Sequence, residues 1–303
     1  MNSDIVLRTQ GLSKRFGRRF VINDLNLEVY RGDVFGFLGP NAAGKSITIR
    51  MLLGLVKPTS GEIELFGHSL QKSPKKALAK IGGIVEKPDF YLYLSARRNL
   101  EILGALSGGV NKEKNAQVLA LVGLTDRAKD KVKTFSHGMK QRLGIAQALL
   151  SDPDLVVFDE PTSGLDPQGM KEVRELIVRL SQEQGITVFL SSHLLHEIEQ
   201  VATRMAIINR GELMVQGDVK KLLGGLEDAV LLRVAPLERA ADLLRKQTWI
   251  SSISVNGDSL KVTLPHSLVP RMNALLVENR IEVSAMVPRR LLEDYFLSIT
   301  GEA

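Results

Sequence analysis

The octet Gly39-Pro40-Asn41-Ala42-Ala43-Gly44-Lys45-Ser46 follows the order G-x-x-x-x-G-K-[ST]. Residues of these types at this spacing can hold a polyphosphate. Backbone N–H groups of a tight loop point inward, the helix that follows presents its positive N-terminal end, and Lys45 adds a mobile point charge for the outer phosphates. The Ser46 hydroxyl, one position further on, suits the hard, oxygen-seeking magnesium ion that accompanies a nucleotide. A second pair of chemically useful groups is Asp159-Glu160, directly after the apolar run Leu155 to Phe158. Asp159 is the natural magnesium partner of Ser46, and Glu160 is placed to accept a proton from, or to orient, a water attacking a terminal phosphate. The plain alternative is an acidic pair left in solvent; the four apolar residues before it and the Pro161-Thr162 turn after it weigh against that.

Such groups act together only if the fold gathers them. Val34 to Leu38 reads as a buried strand entering the loop, and Ile47, Ile49, Met51, Leu52 and Leu55 predict a helix that ends near Pro58. Leu155 to Phe158 and Ile186 to Leu190 are fully apolar strands separated by a helix from Asp166 to Gln184, with an Asp cap, Pro167 in its first turn and Gly185 at its end. That alternation marks a parallel α/β core, which binds ligands at the carboxyl ends of its strands. Ahead of the loop, Ile5, Leu7 and Thr9, then Leu25, Leu27 and Val29, alternate as half-buried antiparallel strands do. Further elements are a strand around Ile63 to Phe66, a run from Ile81 to Glu86, helices over Ser95 to Leu106 and Lys112 to Val122, and a hairpin from Met205 to Val215 turning at Asn209-Arg210-Gly211. Another helix starts at Ser136, a good N-cap, and runs through Leu143, Ala146, Leu149 and Leu150.

The chain has 303 residues, 44% of them hydrophobic, enough for one large domain or two modest ones. Past Gly225 the pattern becomes strand, helix, strand, strand, helix, strand, helix, from Val230 to Ile299 with its last helix over Arg290 to Ile299. This reads as a small α+β domain without recognisable chemistry. No run of eighteen apolar residues occurs, and Met1 to Gln10 lacks the layout of a signal peptide. Without cysteine, disulfides and thiolate chemistry are excluded. The net charge of +6 is spread widely, dense only at Lys14 to Arg19 and Lys72 to Lys80, as on a solvated surface.

Taken with Gly39 to Ser46 and Asp159-Glu160, the segment Phe135-Ser136-His137-Gly138-Met139-Lys140-Gln141-Arg142 resembles the signature of ABC ATPases, the nucleotide-binding subunits of ABC transporters. Ser163-Gly164-Leu165-Asp166 then matches the D-loop, His193 the switch histidine and Phe16 the aromatic that stacks on adenine. Alone, His193 reads as a surface or capping residue, and its i, i+4 pairing with Glu197 lacks a third metal ligand. The resemblance covers residues 4 to about 220. It implies an α/β P-loop NTPase core of ABC type over residues 1–222, with an antiparallel β-subdomain and a helical subdomain, and a small C-terminal α+β domain over 226–303 of unknown role. It also implies hydrolysis of ATP with Mg2+ in a composite site. Gly39, Pro40, Asn41, Ala42, Ala43, Gly44, Lys45, Ser46 and Ile47 of one subunit face Ser136, His137 and Gly138 of a second subunit, identical or closely homologous. It implies as catalytic residues Glu160 and His193 at the terminal phosphate and Glu86 at the attacking water, with Ser46, Asp159 and Glu86 on the metal.

Motors of this kind dock on a separate membrane-spanning permease at the cytoplasmic face of the cell membrane, here through Lys87 to Asn99, and no nucleic-acid partner is expected. A rival reading, a soluble ABC ATPase acting on DNA or ribosomes, lacks both a coiled-coil insertion and a second cassette. Three positions depart from the family pattern. Ala42 stands where glycine or serine is usual and is acceptable if its φ stays negative. Ile47 replaces threonine and leaves only a backbone N–H, a loss of about 0.5 to 1.5 kcal/mol in binding. Glu86 replaces glutamine, and with Phe90-Tyr91 and Leu94 to Leu100 it is similar to the exporter subgroup that includes bacitracin and lantibiotic self-protection ATPases.

Overall fold

The computed structural model describes residues 4–86, 88–106, 109, 112–224 and 228–289. The chain divides into two compact units, Met1–Val219 and Lys220–Ala303. In the first, β1 (Ile5–Phe16) and β2 (Arg19–Tyr30) form an antiparallel hairpin. Leu7, Thr9, Leu25, Leu27 and Val29 are buried on it, while Gln10 and Asn26 are exposed, as the alternation requires. β3 (Val34–Leu38) is buried at every position and leads into α1 (Lys45–Leu52). β4 (Ser60–Leu65) and β5 (His68–Ser69) extend the hairpin into a sheet of order β2-β1-β4-β5.

α2 (Pro74–Leu78) precedes β6 (Ile81–Ile84). Of the run Ile81 to Glu86 only Ile81–Ile84 is strand, and Glu86 takes a φ of 66°, outside the extended region. α3 (Ala96–Leu106), α4 (Lys112–Leu121) and α5 (His137–Ala148) pack on one another as a helical layer. The chain then alternates through β7 (Leu155–Phe158), α6 (Pro167–Gln182), β8 (Thr187–Ser192), α7 (Leu195–Val201), β9 (Arg204–Asn209) and β10 (Glu212–Asp218). α6 is framed as its sequence dictates. The Asp166 carboxylate accepts from Gly169 N, Pro167 occupies the first turn, and Gly185 just beyond has a φ of 65°. Val173, Leu176, Ile177 and Leu180 bury one face of it, each contributing about 1.5 to 3 kcal/mol.

The main sheet has the order β10-β9-β3-β8-β7-β6, parallel from β9 to β6. β10 pairs antiparallel with β9. Phe189 of β8 joins the centre, stacked on Phe35 at 5.5 Å between centroids and tilted against Phe37 at 5.4 Å. β3, β8 and β7 are therefore neighbours pointing the same way, and the loops leaving them open at one edge.

The β9–β10 turn braces that edge. Arg210 and Gly211 both have positive φ, 49° and 85°, as a tight two-residue hairpin turn demands. Gly211 N donates to Ala43 O at 2.9 Å and Gly211 O accepts from Asn23 N at 2.9 Å, tying the Gly39 loop to β2 through the turn.

The second unit begins along α8 (Val219–Gly224) and continues through β11 (Asp228–Ala235), α9 (Leu237–Arg245), β12 (Ser252–Asn256), β13 (Ser259–Leu264), α10 (Val269–Glu278) and β14 (Glu282–Arg289). Its antiparallel sheet, ordered β12-β13-β11-β14, buries Val230, Leu232, Val262 and Leu264 with Ala240, Leu244, Met272 and Leu276 of the helices. The helix expected over Arg290 to Ile299 lies outside the described residues. Among the described residues, no helix is long and apolar enough to cross a membrane.

A methyl group at Gly211 would lie 2.2 Å from Val21 O. Gly211→Ala adds a left-handed penalty of about 1 to 2 kcal/mol to that backbone clash. It is expected to lower unfolding stability by at least about 2 kcal/mol in urea titration, and an unchanged midpoint would show that the turn is no brace.

Candidate functional site

Lys45, Ser46, Asp159, Glu160 and His193 all follow on the carboxyl ends of β3, β7 and β8. After β3, the chain turns through Gly39 to Gly44 and enters α1 at Lys45. Gly44, with φ 109°, occupies the N-cap, supplies no side-chain cap, and is followed by a first turn without an acidic residue. The leading N–H groups of α1 thus stay open to an anion. Glycine is needed here: a methyl at Gly44 would come within 2.4 Å of Ile22 Cδ1, and one at Gly39 within 2.6 Å of Ile208 O. Thr48, passed over in the sequence, is buried one turn along and bonds Gly44 O at 3.0 Å, closing the loop onto its helix.

Lys45 is buried, with Nζ donating to Gly39 O at 2.7 Å and Pro40 O at 3.2 Å and lying 3.4 Å from Glu160 Oε1. A polyphosphate seated in the loop must exchange these acceptors for its own oxygens, which carry more charge. Ser46 is exposed and its hydroxyl makes no hydrogen bond among the described residues. Ile47 is half-buried against the core, so its side chain serves packing.

At the end of β7, Asp159 is buried and accepts at Oδ1 from Ser191 Oγ, 2.6 Å away on β8. The same Ser191 Oγ accepts from Glu160 N at 2.9 Å, so one hydroxyl fixes both acidic residues. Glu160 has a left-handed φ of 46°. Its carboxylate reaches His193 Nδ1 at 2.9 Å through Oε2 while Oε1 faces Lys45. A ring nitrogen beside a carboxylate donates, which leaves Nε2 of His193 for another partner. Lys45, Glu160 and His193, far apart in sequence, form one contiguous set.

The other expected residues are placed differently. Glu86, largely exposed, is ion-paired with Arg50, one turn beyond Ser46 on α1. Phe16 is exposed at the tip of the β1–β2 hairpin, with Lys14 Nζ 5.0 Å from its ring centroid. Ser136 caps α5, accepting Met139 N at 3.2 Å, and with His137 it is exposed. Gly138 faces Gly169 of α6, where an added methyl would be 3.6 Å away. Asp166 uses its side chain to cap α6.

The donors fit magnesium. A serine hydroxyl and a carboxylate held at one oxygen are hard oxygen ligands, and Mg2+ takes one or two such groups and completes its octahedron with phosphate and water. Ala42, by contrast, does not keep the negative φ expected of it: its φ is 63°. The closed loop imposes that conformation, since Ala43 N bonds Pro40 O at 3.2 Å and Ala43 O accepts from Gly211 N.

Comparison with known proteins adds a family context. Residues 22–163 match the sequence profile described as "ABC transporter". The bacitracin transport ATP-binding protein BcrA of Bacillus licheniformis is 43% identical over 98% of this chain and 97% of its own length. The lantibiotic transport ATP-binding protein SrtF of Streptococcus pyogenes is 41% identical over 70% of this chain and 90% of its own. The solved structure of cbiO1 from Clostridium perfringens, part of the ABC transporter complex cbiONQ, is 25% identical with a TM-score of 0.66, covering 80% of this chain and 96% of that one.

Ala42→Gly removes a left-handed penalty of about 1 to 2 kcal/mol and adds about 0.4 to 1 kcal/mol of chain entropy to the unfolded state. Net stabilisation of roughly 0.5 to 1 kcal/mol is expected in thermal or urea unfolding; a destabilised variant would show that Ala42 is not strained.

Proposed function

This chain belongs to the ABC transporter family, as one of its ATP-binding subunits, and from that membership we propose how its residues divide the work. It binds ATP and hydrolyses it to ADP and phosphate. One observation carries the assignment of roles: the Glu160 carboxylate stands between Lys45 Nζ at 3.4 Å and His193 Nδ1 at 2.9 Å. Lys45 and the open end of α1 hold the outer phosphates. Glu160 orients a water and takes its proton, and His193 offers Nε2 to the terminal phosphate. Ser46 and Asp159 would hold Mg2+, which would supply neutralisation of phosphate charge. Phe16 offers its exposed ring to adenine.

Ser136, His137 and Gly138 act on the ATP of a second subunit, where the N-terminus of α5 and the Ser136 hydroxyl stabilise charge on the transferring phosphoryl group. Two copies, or this chain and a close homologue, then close around nucleotide, and hydrolysis reopens them. The subunit works at the cytoplasmic face of a membrane on a separate permease, with residues 87–99 as the contact. Tyr91 and Tyr93, exposed at 60% and 79%, support that placement. The names of the relatives BcrA and SrtF support export of a peptide antibiotic as the transport task. The second unit, separate from these groups in sequence and free of comparable chemistry among its described residues, is read as an accessory domain.

Glu160→Gln removes the base while keeping the side chain's size. It is expected to bind ATP and accumulate dimer in size-exclusion chromatography while steady-state hydrolysis falls by about a hundredfold; full turnover would remove Glu160 from this role. Glu86→Gln breaks the pair with Arg50 yet leaves an oxygen ligand, so phosphate release is expected to persist within about threefold of the parent. Complete loss would mean that the reaction needs the Glu86 carboxylate itself.

A further inference from the structure

We infer that Glu197 is a positioning residue that keeps the Glu160 and His193 loops in register, an inference that rests on the roles given to those two residues above. Glu197 lies in the first turn of α7 and is only 3% exposed. Its Oε2 accepts from Thr162 Oγ1 at 2.6 Å and shares the Ser192 hydroxyl proton with Leu194 O, each 3.3 Å from Ser192 Oγ. Thr162 lies two positions after Glu160, and Ser192 immediately precedes His193. A single carboxylate thereby ties the loop leaving β7 to the loop leaving β8, the same two loops that the Glu160–His193 contact spans.

The helix that carries Glu197 is itself fixed. Ile198 packs so closely on β3 that a methyl at Gly36 would lie 2.4 Å from its Cγ2. Glu197 is thus referenced to the strand that delivers the Gly39 loop, and the tie connects all three strands of the site. Its other oxygen, Oε1, is buried without a hydrogen-bond partner among the described residues, and Glu197 lines a cavity of about 190 Å³ with Glu160, His193 and Met170.

Packing alone does not explain this choice of side chain. Burying a carboxylate is costly, and an apolar residue of similar volume would fill the space without that penalty. An acceptor-only group with two oxygens, however, can gather hydroxyl donors from two loops at once, which neither an apolar residue nor a further donor can do. Under this inference Glu197 does not contact ATP; it acts through Glu160 and His193.

The test is steady-state ATP hydrolysis by the full-length chain. Glu197→Ala is expected to lower kcat about tenfold while the KM for ATP stays within about threefold, because the phosphate cradle is untouched. Glu197→Gln retains an oxygen that accepts from Thr162 and is expected to restore kcat to within about threefold of the parent. Combined with His193→Ala, the loss from Glu197→Ala should be less than multiplicative, since part of what it positions is gone. Should Glu197→Ala fail to fold, Thr162→Val cuts the same tie from the other loop, and the same fall in kcat at unchanged KM is expected.

Unchanged kcat in Glu197→Ala or its substitute Thr162→Val, a loss confined to KM, a fully multiplicative double variant, or a Glu197→Gln as impaired as alanine would each overturn the inference. The single variants separate the levels. Normal turnover in both His193→Ala and Glu160→Gln would overturn the reading of the site and this inference with it. Impaired turnover in those two with none in Glu197→Ala would overturn this inference alone.

Discussion

The parallel register of β3, β8 and β7 is the constraint on which the rest of the site depends. Leu38 pairs with Ser192, and Phe158 with Leu190, so the three strands finish at one edge within two residues of each other. The Gly39 loop, the Asp159-Glu160 pair and His193 are thereby delivered to one place from distant parts of the chain. A slip of one residue in β7 would exchange the faces of Phe158 and Asp159, putting a carboxylate in the core and a phenyl ring at the edge. The packing of Phe35 and Phe37 around Phe189 fastens the β3–β8 pair.

At that edge the protein accepts an unusual density of buried polar groups. Lys45, Asp159, Thr162, Ser191, Ser192 and Glu197 are all buried at the end of a sheet otherwise lined by aliphatic and aromatic side chains. Each would be costly unpaired, so the hydroxyls serve as connectors: Ser191 donates to Asp159 and accepts from Glu160 N, and Thr162 donates to Glu197. The left-handed backbone at Glu160, with φ 46°, belongs to the same arrangement. Strain at a single non-glycine residue, of the order of 1 to 3 kcal/mol, persists only where its surroundings over-determine it. Here the bond to Ser191 and the contacts to Lys45 and His193 do so.

What was legible in the sequence is what is local in it. The octet at Gly39, the acidic pair after an apolar strand, the Ser136 and Asp166 caps and the Arg210-Gly211 turn each carry their meaning within a few residues. Ser191 and Glu197 do not. Their importance comes from partners about thirty-five positions away or nearer, on a neighbouring strand or loop, and nothing in the pattern L-S-S-H or in a helical glutamate announces it. Backbone sign was equally hidden. Ala42 was expected at negative φ because alanine prefers it, yet closure of the loop by Ala43 and Gly211 decides its conformation instead. For Glu86, the family pattern pointed to metal, while the nearest charge is Arg50, placed there by the turn that ends β6 at Ile84.

The starts of α1 and α5, the two halves of the proposed composite site, share a polarity that favours nucleotide over any cationic ligand. At α1 the N-cap is a glycine, the first turn has no acidic residue, and Lys45 offers only donors. At α5 the first turn again has no acidic residue, and one lone pair of Ser136 Oγ is taken by Met139 N, which leaves its O–H to donate. Both helix ends present donors backed by a positive dipole end, and neither supplies a carboxylate to neutralise it. A ligand between two such ends must bring the acceptors and the negative charge, as a triphosphate does. Glu160 is a carboxylate at this edge with neither a helix cap nor a buried tie, which suits the base role proposed for it. The asymmetry between donors at two helix starts and a carboxylate at one strand end thus follows from which residues stand there.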